Sequence, residues 1–467
     1  MSRIAIIGAG PAGLSLARLL VEQDLHDITL YEASDSVGGM SESVFADGRT
    51  HELGAGYPPS GRSRLTPWMQ EAGHTFRPPE TFQMDDGRPL AEFVYGDDAW
   101  RSRLELAKYL GAWAWFHVRE ALGLVGDDEY ARLAEPFGPW LRRGGMDAMH
   151  RLARRSTVAM GQGFLDETSR LWGYRWNTLT RVYESLTSGT REPERGWETF
   201  WASMAERFHV KTRHRVVDMR RTGREVRLRV EVQRGDLTET HDEAYDHVVV
   251  AVPLTELESY EGATADELWV AEHLESTRSA ATLIEVEGWF DEPIDTRAYR
   301  ERLLPRSERT GDDQPLDCTF VARRSPRAGR GSRPLYVVHQ YVDPQHDPRT
   351  NPEATDASLR ARLVEQLRED LVAEGAVLKE VLEQRIGDHS TRLTRAGIAA
   401  GGPNRLERMQ GRQNVWYTGS SVVHESIDHV VDYNAVLALR IRQAIEPKNL
   451  MLHSLEKHAA ALASHGW

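Results

Sequence analysis

Arg3-Ile4-Ala5-Ile6-Ile7-Gly8-Ala9-Gly10-Pro11-Ala12-Gly13 opens the chain, and Glu32 follows nineteen residues after Gly13. An apolar run ending in a glycine turn predicts a buried parallel strand feeding a helix. The glycines have separate tasks. Gly8 makes the tight turn, Gly10 lets a pyrophosphate approach the backbone, and Gly13 lets the helix pack close on the strand. The helix N-terminus offers N–H groups and a positive dipole end to the phosphates. A second predicted strand, Ile28–Tyr31, ends at Glu32-Ala33, where a carboxylate accepts from ribose hydroxyls. Strand, helix, second strand and acid in one register predict a dinucleotide-binding domain.

The next residues choose among dinucleotides. Gly38-Gly39-Met40 begins six residues past Glu32, with Ser43 close behind. A glycine pair here resembles the flavin form of the fold, in which the loop covers the FAD pyrophosphate. Glu52-Leu53-Gly54-Ala55-Gly56-Tyr57 looks like the segment that runs beneath the isoalloxazine ring, where small residues admit close backbone contact.

Composition bounds the remaining possibilities. A chain of 467 residues predicts two intimately joined domains. The net charge of −13 argues against nucleic acid or an anionic membrane as partner. The single cysteine, Cys318, excludes an intrachain disulfide and a cysteine metal cluster. His117, His209, His214, His241 and His247 show no metal-ligand spacing, so no metal is expected. No apolar run reaches the ~18 residues of a membrane span. The first strand starts at residue 3, which predicts no signal peptide and a soluble, cytoplasmic protein.

The pattern of elements predicts an α/β protein whose Rossmann-type FAD-binding domain is built from discontinuous segments: 1–60, 196–255 and 385–450. Residues 61–195 read as a helical insert capping the substrate site. Residues 256–384 read as an α+β substrate domain with an antiparallel sheet, including helices from about 353 to 381, and 451–467 as a tail. Val248-Val249-Val250-Ala251-Val252 is continuous and β-branched, as in a strand buried on both faces. The closing strand is expected at Asn414–Ser420 and the last helix from about Ile427 to Ile445.

Taken in order, these motifs resemble the flavin amine-oxidase superfamily, and within it the polyenoic fatty acid (linoleate) isomerase-like branch. Trp172-Gly173-Tyr174 and Met409–Gly419 are the stretches that point to that branch. The resemblance implies non-covalent FAD held by Gly8, Gly10, Pro11, Ala12 and Gly13 at the pyrophosphate and by Glu32 and Ala33 at the ribose. It implies Gly38, Gly39, Met40 and Ser43 along the cofactor, and Gly54, Ala55 and Gly56 near the flavin. Val216 would meet adenine through its backbone, Gly419 and Ser420 the ribityl chain, and Ile427 and Asp428 the flavin edge. Three departures stand out. Ser420 replaces a common acid, the chain has no lysine between 211 and 379, and Val423-His424-Glu425-Ser426 supplies no tyrosine pair to cage an amine.

Eight of thirteen tryptophans lie between residues 100 and 201. An aromatic-rich lid favours a largely apolar, elongated or polycyclic small-molecule substrate. Trp113 and Trp115 lie two apart on a predicted helix, so they point different ways. The sequence offers no acid–base pair. Tyr57, Tyr174 and His424 are the candidate bases, and Trp172 and Tyr174 the candidate substrate clamp. The expected activity is hydride removal from a C–H bond, as a net oxidation or as a redox-neutral double-bond shift; a flavoprotein without turnover is the third reading.

Overall fold

Ile4–Ile7 lies at the centre of a five-stranded parallel sheet. Its order is Val415–Tyr417, His247–Val250, Ile4–Ile7, Ile28–Tyr31, His209–Lys211. Ile4 and Ile6 enter one hydrophobic cluster while Ala5 and Ile7 enter another, so this strand is covered on both faces. That double cover explains why Ile4–Ile7 and His247–Val250 read as unbroken apolar runs rather than as alternations. The computed structural model describes residues 2–54, 63–78, 80–187, 193–235, 237–291, 294–309, 315–325 and 331–446. Ala55, Gly56, Tyr57 and the expected tail lie outside these residues.

Helix Pro11–Val21 follows the first strand and packs on the last helix, Ile427–Ile445. One polar side chain joins them. Asn434 is fully buried and donates to the Ala12 carbonyl at 2.8 Å and to Ser15 Oγ at 2.9 Å, while Thr418 Oγ1 donates to Asn434 Oδ1 at 2.5 Å. A buried amide with these partners fixes the register of the two helices.

Between His209–Lys211 and His247–Val250 of the parallel sheet, His214–Arg221, Val226–Arg234 and Leu237–Tyr245 form a three-stranded antiparallel sheet. Val226, Leu228, Val230 and Val232 are buried and alternate with arginine and glutamate, the period expected of a one-sided sheet.

A second large sheet has six strands in the order Val377–Leu393, Leu274–Glu287, Leu335–Tyr341, Thr319–Arg324, Thr296–Ala298, Phe82–Met84. All its pairs are antiparallel except the last. Two differences from expectation lie here. The helix spans only Asp356–Ala373, because Gly375 turns left-handed (φ +74°) and Ala376 N–H bonds back to the Leu371 carbonyl. The chain then enters a strand of 17 residues, which stays paired with Leu274–Glu287 to Leu393, beyond the boundary expected at 385.

Residues 90–187 are mainly helical. The longest helix, Ala99–Ala121, lies on Asp147–Ser156. Trp113 is buried and Trp115 exposed, as their spacing requires.

Candidate flavin and substrate site

The strand–turn–helix at the N-terminus sets the geometry of one end of the site. Gly8 has φ +104°, a conformation that disfavours any side chain. A Cβ on Gly13 would stand 2.0 Å from the Gly8 carbonyl oxygen. Gly10 caps helix Pro11–Val21 without a side chain over its first turn, and Pro11 occupies the first helical position. Across the gap, a Cβ on Gly39 would reach within 3.2 Å of Gly10 Cα. The two backbones thus approach as closely as bare glycines permit, leaving a cradle of main chain at a helix N-terminus.

Glu32 is held in place by its own surroundings. Ala9 N–H donates to its Oε2 at 2.9 Å, and Ser34 donates to Oε1 through N–H at 3.0 Å and Oγ at 2.8 Å. The carboxylate is fixed by charge-assisted bonds and still faces a cavity.

That cavity, of about 400 Å³, joins the parallel sheet to the six-stranded sheet. Of the residues expected to hold cofactor, Gly8, Gly10, Pro11, Ala12, Glu32, Gly39, Met40, Gly54, Gly419, Ser420, Ile427 and Asp428 line it. Gly13 and Gly38 sit behind them: Gly13 against the first strand, and Gly38 with its N–H on the Ala9 carbonyl at 3.0 Å. Ala33 is exposed and off the wall. Ser43 is also set back, its Oγ donating to Glu52 Oε1 at 2.9 Å and its N–H to Glu198 Oε2 at 3.1 Å. Val216 is buried off the wall, and its carbonyl accepts from Tyr260 at 2.8 Å. Close main-chain approach, a bonded acid and a helix N-terminus at Ile427 fit a bound dinucleotide.

Ser63 donates to Asp428, and Asp432 lies one turn further along the helix, 3.6 Å from Arg64 Nε. Burial and the neighbouring Asp428 push the Asp432 carboxyl up to about 7.

The far end of the cavity is walled by Phe82, Ala159, Met160, Trp176, Phe320 and Val321, with Arg155 stacked 4.0 Å over Phe82. A polar group interrupts this wall. His389 Nδ1 lies 3.8 Å from Glu425 Oε1, and Gln162 Nε2 donates to Glu425 Oε2 at 3.5 Å. Ser390 donates in turn to Gln162 Oε1. Ser390 is fully buried and has φ +58°, beside a register shift between Glu275 and Thr277 on the partner strand. A bulge re-aims the side chains beside it, and strained backbone of this kind clusters at working sites. His339 also lines the cavity; burial, Arg323 and His389 lower its basicity to about 3. Sequence reading missed this group because its members lie on separate strands and loops. The positive-φ serine leaves no mark that a sequence reveals.

The aromatic patch lies elsewhere than expected. Trp172, Tyr174 and His424 do not line the cavity. Tyr174 is fully buried among Tyr109, Phe116 and Trp140, and its hydroxyl accepts from Arg170 at 2.8 Å. His424 is sandwiched between Trp172 and Trp176, with ring centroids 4.4 Å away on each side. Its Nδ1 accepts from Ser426 N–H at 3.1 Å, and burial lowers its basicity far below the usual histidine range. The reason is helical spacing. On helix Arg170–Trp176, the four-residue step from Trp172 to Trp176 is just over one turn; Trp176 reaches the cavity and Trp172 stands behind His424.

Residues 11–391 match the family of flavin containing amine oxidoreductases, and the chain belongs to that family. It is a flavin-dependent enzyme by that membership. Its fold is similar to that of a CLA-producing fatty acid isomerase from P. acnes, with TM-score 0.72 and 21% identity over 94% of this chain and 98% of that one. A putrescine oxidase bound to putrescine gives TM-score 0.63 and 16% identity over 94% and 98%. A reduced UDP-galactopyranose mutase gives 0.62 and 14% over 99% of both.

Proposed function

We propose that the protein binds FAD non-covalently and takes a hydride from a C–H bond of a largely apolar small molecule. The observation that carries this reading is one continuous cavity, lined at one end by the glycine loop and Glu32 and at the other by apolar side chains. A bound FAD supplies the hydride-accepting chemistry. Gly8, Gly10, Pro11 and Ala12 bind its phosphates and Glu32 its ribose. The N-terminus of helix Ile427–Ile445 favours negative charge beside it by about 0.3–1 kcal/mol. Phe82, Trp176 and Phe320 exclude water and orient the substrate, which sets the reacting distance. His389 accepts or returns a proton at its imidazole, and Glu425 orients it. The sole cysteine is buried off the cavity, which supports a non-covalent cofactor.

A redox-neutral double-bond shift is the second reading, favoured by the resemblance of fold to the fatty acid isomerase. One experiment separates the readings. Acid denaturation should release free FAD from yellow protein. Anaerobic mixing with linoleate and with a long-chain amine should then bleach the flavin persistently if the reaction is oxidation. Product without lasting bleaching means isomerisation. Colourless protein that binds NAD(P) overturns the proposal, and a yellow protein that turns over neither probe, nor any lipid in a wider screen, is a non-catalytic flavoprotein.

A further inference from the structure

The long helix Ala99–Ala121 carries two apolar faces, and one of them is covered. Leu106, Tyr109, Trp113 and Phe116 are buried against the rest of the insert. Trp100, Leu104, Trp115 and Val118 face away from it, and Leu122 continues their row. At about 100° per residue these five fall within roughly 60° of arc, in a line about 33 Å long. Trp100 is 70% exposed, Trp115 66%, and Leu104 and Leu122 55% each. Scattered exposed apolar residues are ordinary on a surface, but an aligned row with two tryptophans is an interaction surface.

We propose that this row lies in the interface of a zwitterionic lipid surface. Three observations choose that occupant. The row is one side chain wide and exposes roughly 600 Å² of apolar surface, less than the ~800 Å² per partner of a stable protein interface. Its flanks carry Arg101, Arg103 and Lys108, all exposed. The acids of the helix are turned elsewhere: Glu105 accepts from Ala148 N–H at 2.7 Å, and Glu120 from Tyr130 and Arg175. Beyond the ends, Asp98 caps the helix and Asp127 accepts from Asn404. A second copy of this helix would therefore set cation against cation, whereas lipid phosphates at headgroup depth suit tryptophan and arginine together. The net charge of −13 then selects a zwitterionic over an anionic surface. The helix rests on Asp147–Ser156, whose Arg155 lines the cavity, so a protein seated this way holds its substrate pocket beside the lipid.

The test uses flavin-loaded full-length protein and vesicles of phosphatidylcholine, alone and doped with phosphatidylglycerol. Co-flotation with pure phosphatidylcholine and a blue shift of tryptophan emission are expected, both weakened by phosphatidylglycerol. The double substitution Trp100→Ser, Trp115→Ser should lower vesicle affinity at least about tenfold. Both side chains are exposed, so the variant should keep its melting temperature and flavin. Lack of binding to phosphatidylcholine overturns the inference, as does binding that survives the double substitution or needs phosphatidylglycerol. A dimer that the substitutions dissociate would overturn it too, since a second copy would then cover the row. Vesicle binding is read without turnover, so its failure is distinct from failure of the proposed reaction.

Discussion

Replacing Trp172 with alanine tests whether that side chain is structure or substrate clamp. Trp172 is 6% exposed and stacks on His424 at 4.4 Å, with its ring tilted by 19°. Its Nε1 has no hydrogen-bond partner among the described residues, so truncation removes packing and no polar contact. Loss of a buried tryptophan costs about 3–5 kcal/mol. For 467 residues the melting entropy is about 1 kcal/mol/K, from about 2.1 cal/mol/K per residue. The expected fall in melting temperature is therefore about 3–5 °C. Flavin should stay bound, because none of the glycine loop or Glu32 touches this stack. Trp176→Ala is the matched control: Trp176 lines the cavity, donates to the Ser156 carbonyl and carries Arg181 at 4.1 Å from its ring. That variant should lose comparable stability and also change the flavin spectrum on addition of linoleate. Calorimetry and flavin absorbance on both variants decide the matter. An unchanged melting temperature for Trp172→Ala, together with a lost response to linoleate, would refute the packing argument and return Trp172 to the substrate wall.

The geometry sets three further outcomes. Gly13→Ala puts a Cβ 2.0 Å from the Gly8 carbonyl, so the purified protein should be colourless or insoluble; a yellow protein of normal stability would show that the loop yields. Glu32→Ala removes the acceptor that Ala9 and Ser34 share, and charge-assisted bonds of about 1.5–3 kcal/mol correspond to flavin retention weaker by roughly 10–100-fold, measured by equilibrium dialysis. The Asp432 carboxyl, raised to about 7 when folded against an ordinary ~3.9, binds more protons folded than unfolded between those values, so stability falls as pH climbs through that window. Asp432→Asn should flatten that slope and melt higher than the parent at pH above about 7; an unaltered slope would assign it to other groups.

The nucleotide end is legible in the sequence because its signals are local. Gly8 to Gly13 and Glu32 sit within one strand–helix–strand unit, and each residue's task depends on neighbours close in sequence. The opposed positions of Trp113 and Trp115 are equally plain from spacing. The second sheet is harder. Val377-Leu378-Lys379-Glu380-Val381-Leu382 has apolar pairs at helical spacing, yet pairing along Leu274–Glu287 makes it a strand. Non-local pairing overrides local pattern there. The His389–Glu425–Gln162 group is hidden for the same reason: three residues from distant parts of the chain meet at a bulge. Trp172-Gly173-Tyr174 stands out as a patch, but which ring reaches the cavity depends on how the helix is rotated, which the sequence pattern leaves open.

The buried Asn434 has a consequence for how the protein is made. The pocket floor laid down by Gly8 to Gly13 is completed by Gly419, Ser420, Ile427 and Asp428, and Asn434 ties that late segment to Ala12 and Ser15. From Gly13 to Asp428 a ribosome must add about 415 residues, which takes roughly 20–80 s at ordinary translation rates. For that interval the first strand and its helix lack the covering helix that buries one of their faces. The nascent chain is then a client for holding chaperones, and the cofactor acts as a checkpoint: it is captured in full only after the last helix has left the ribosome.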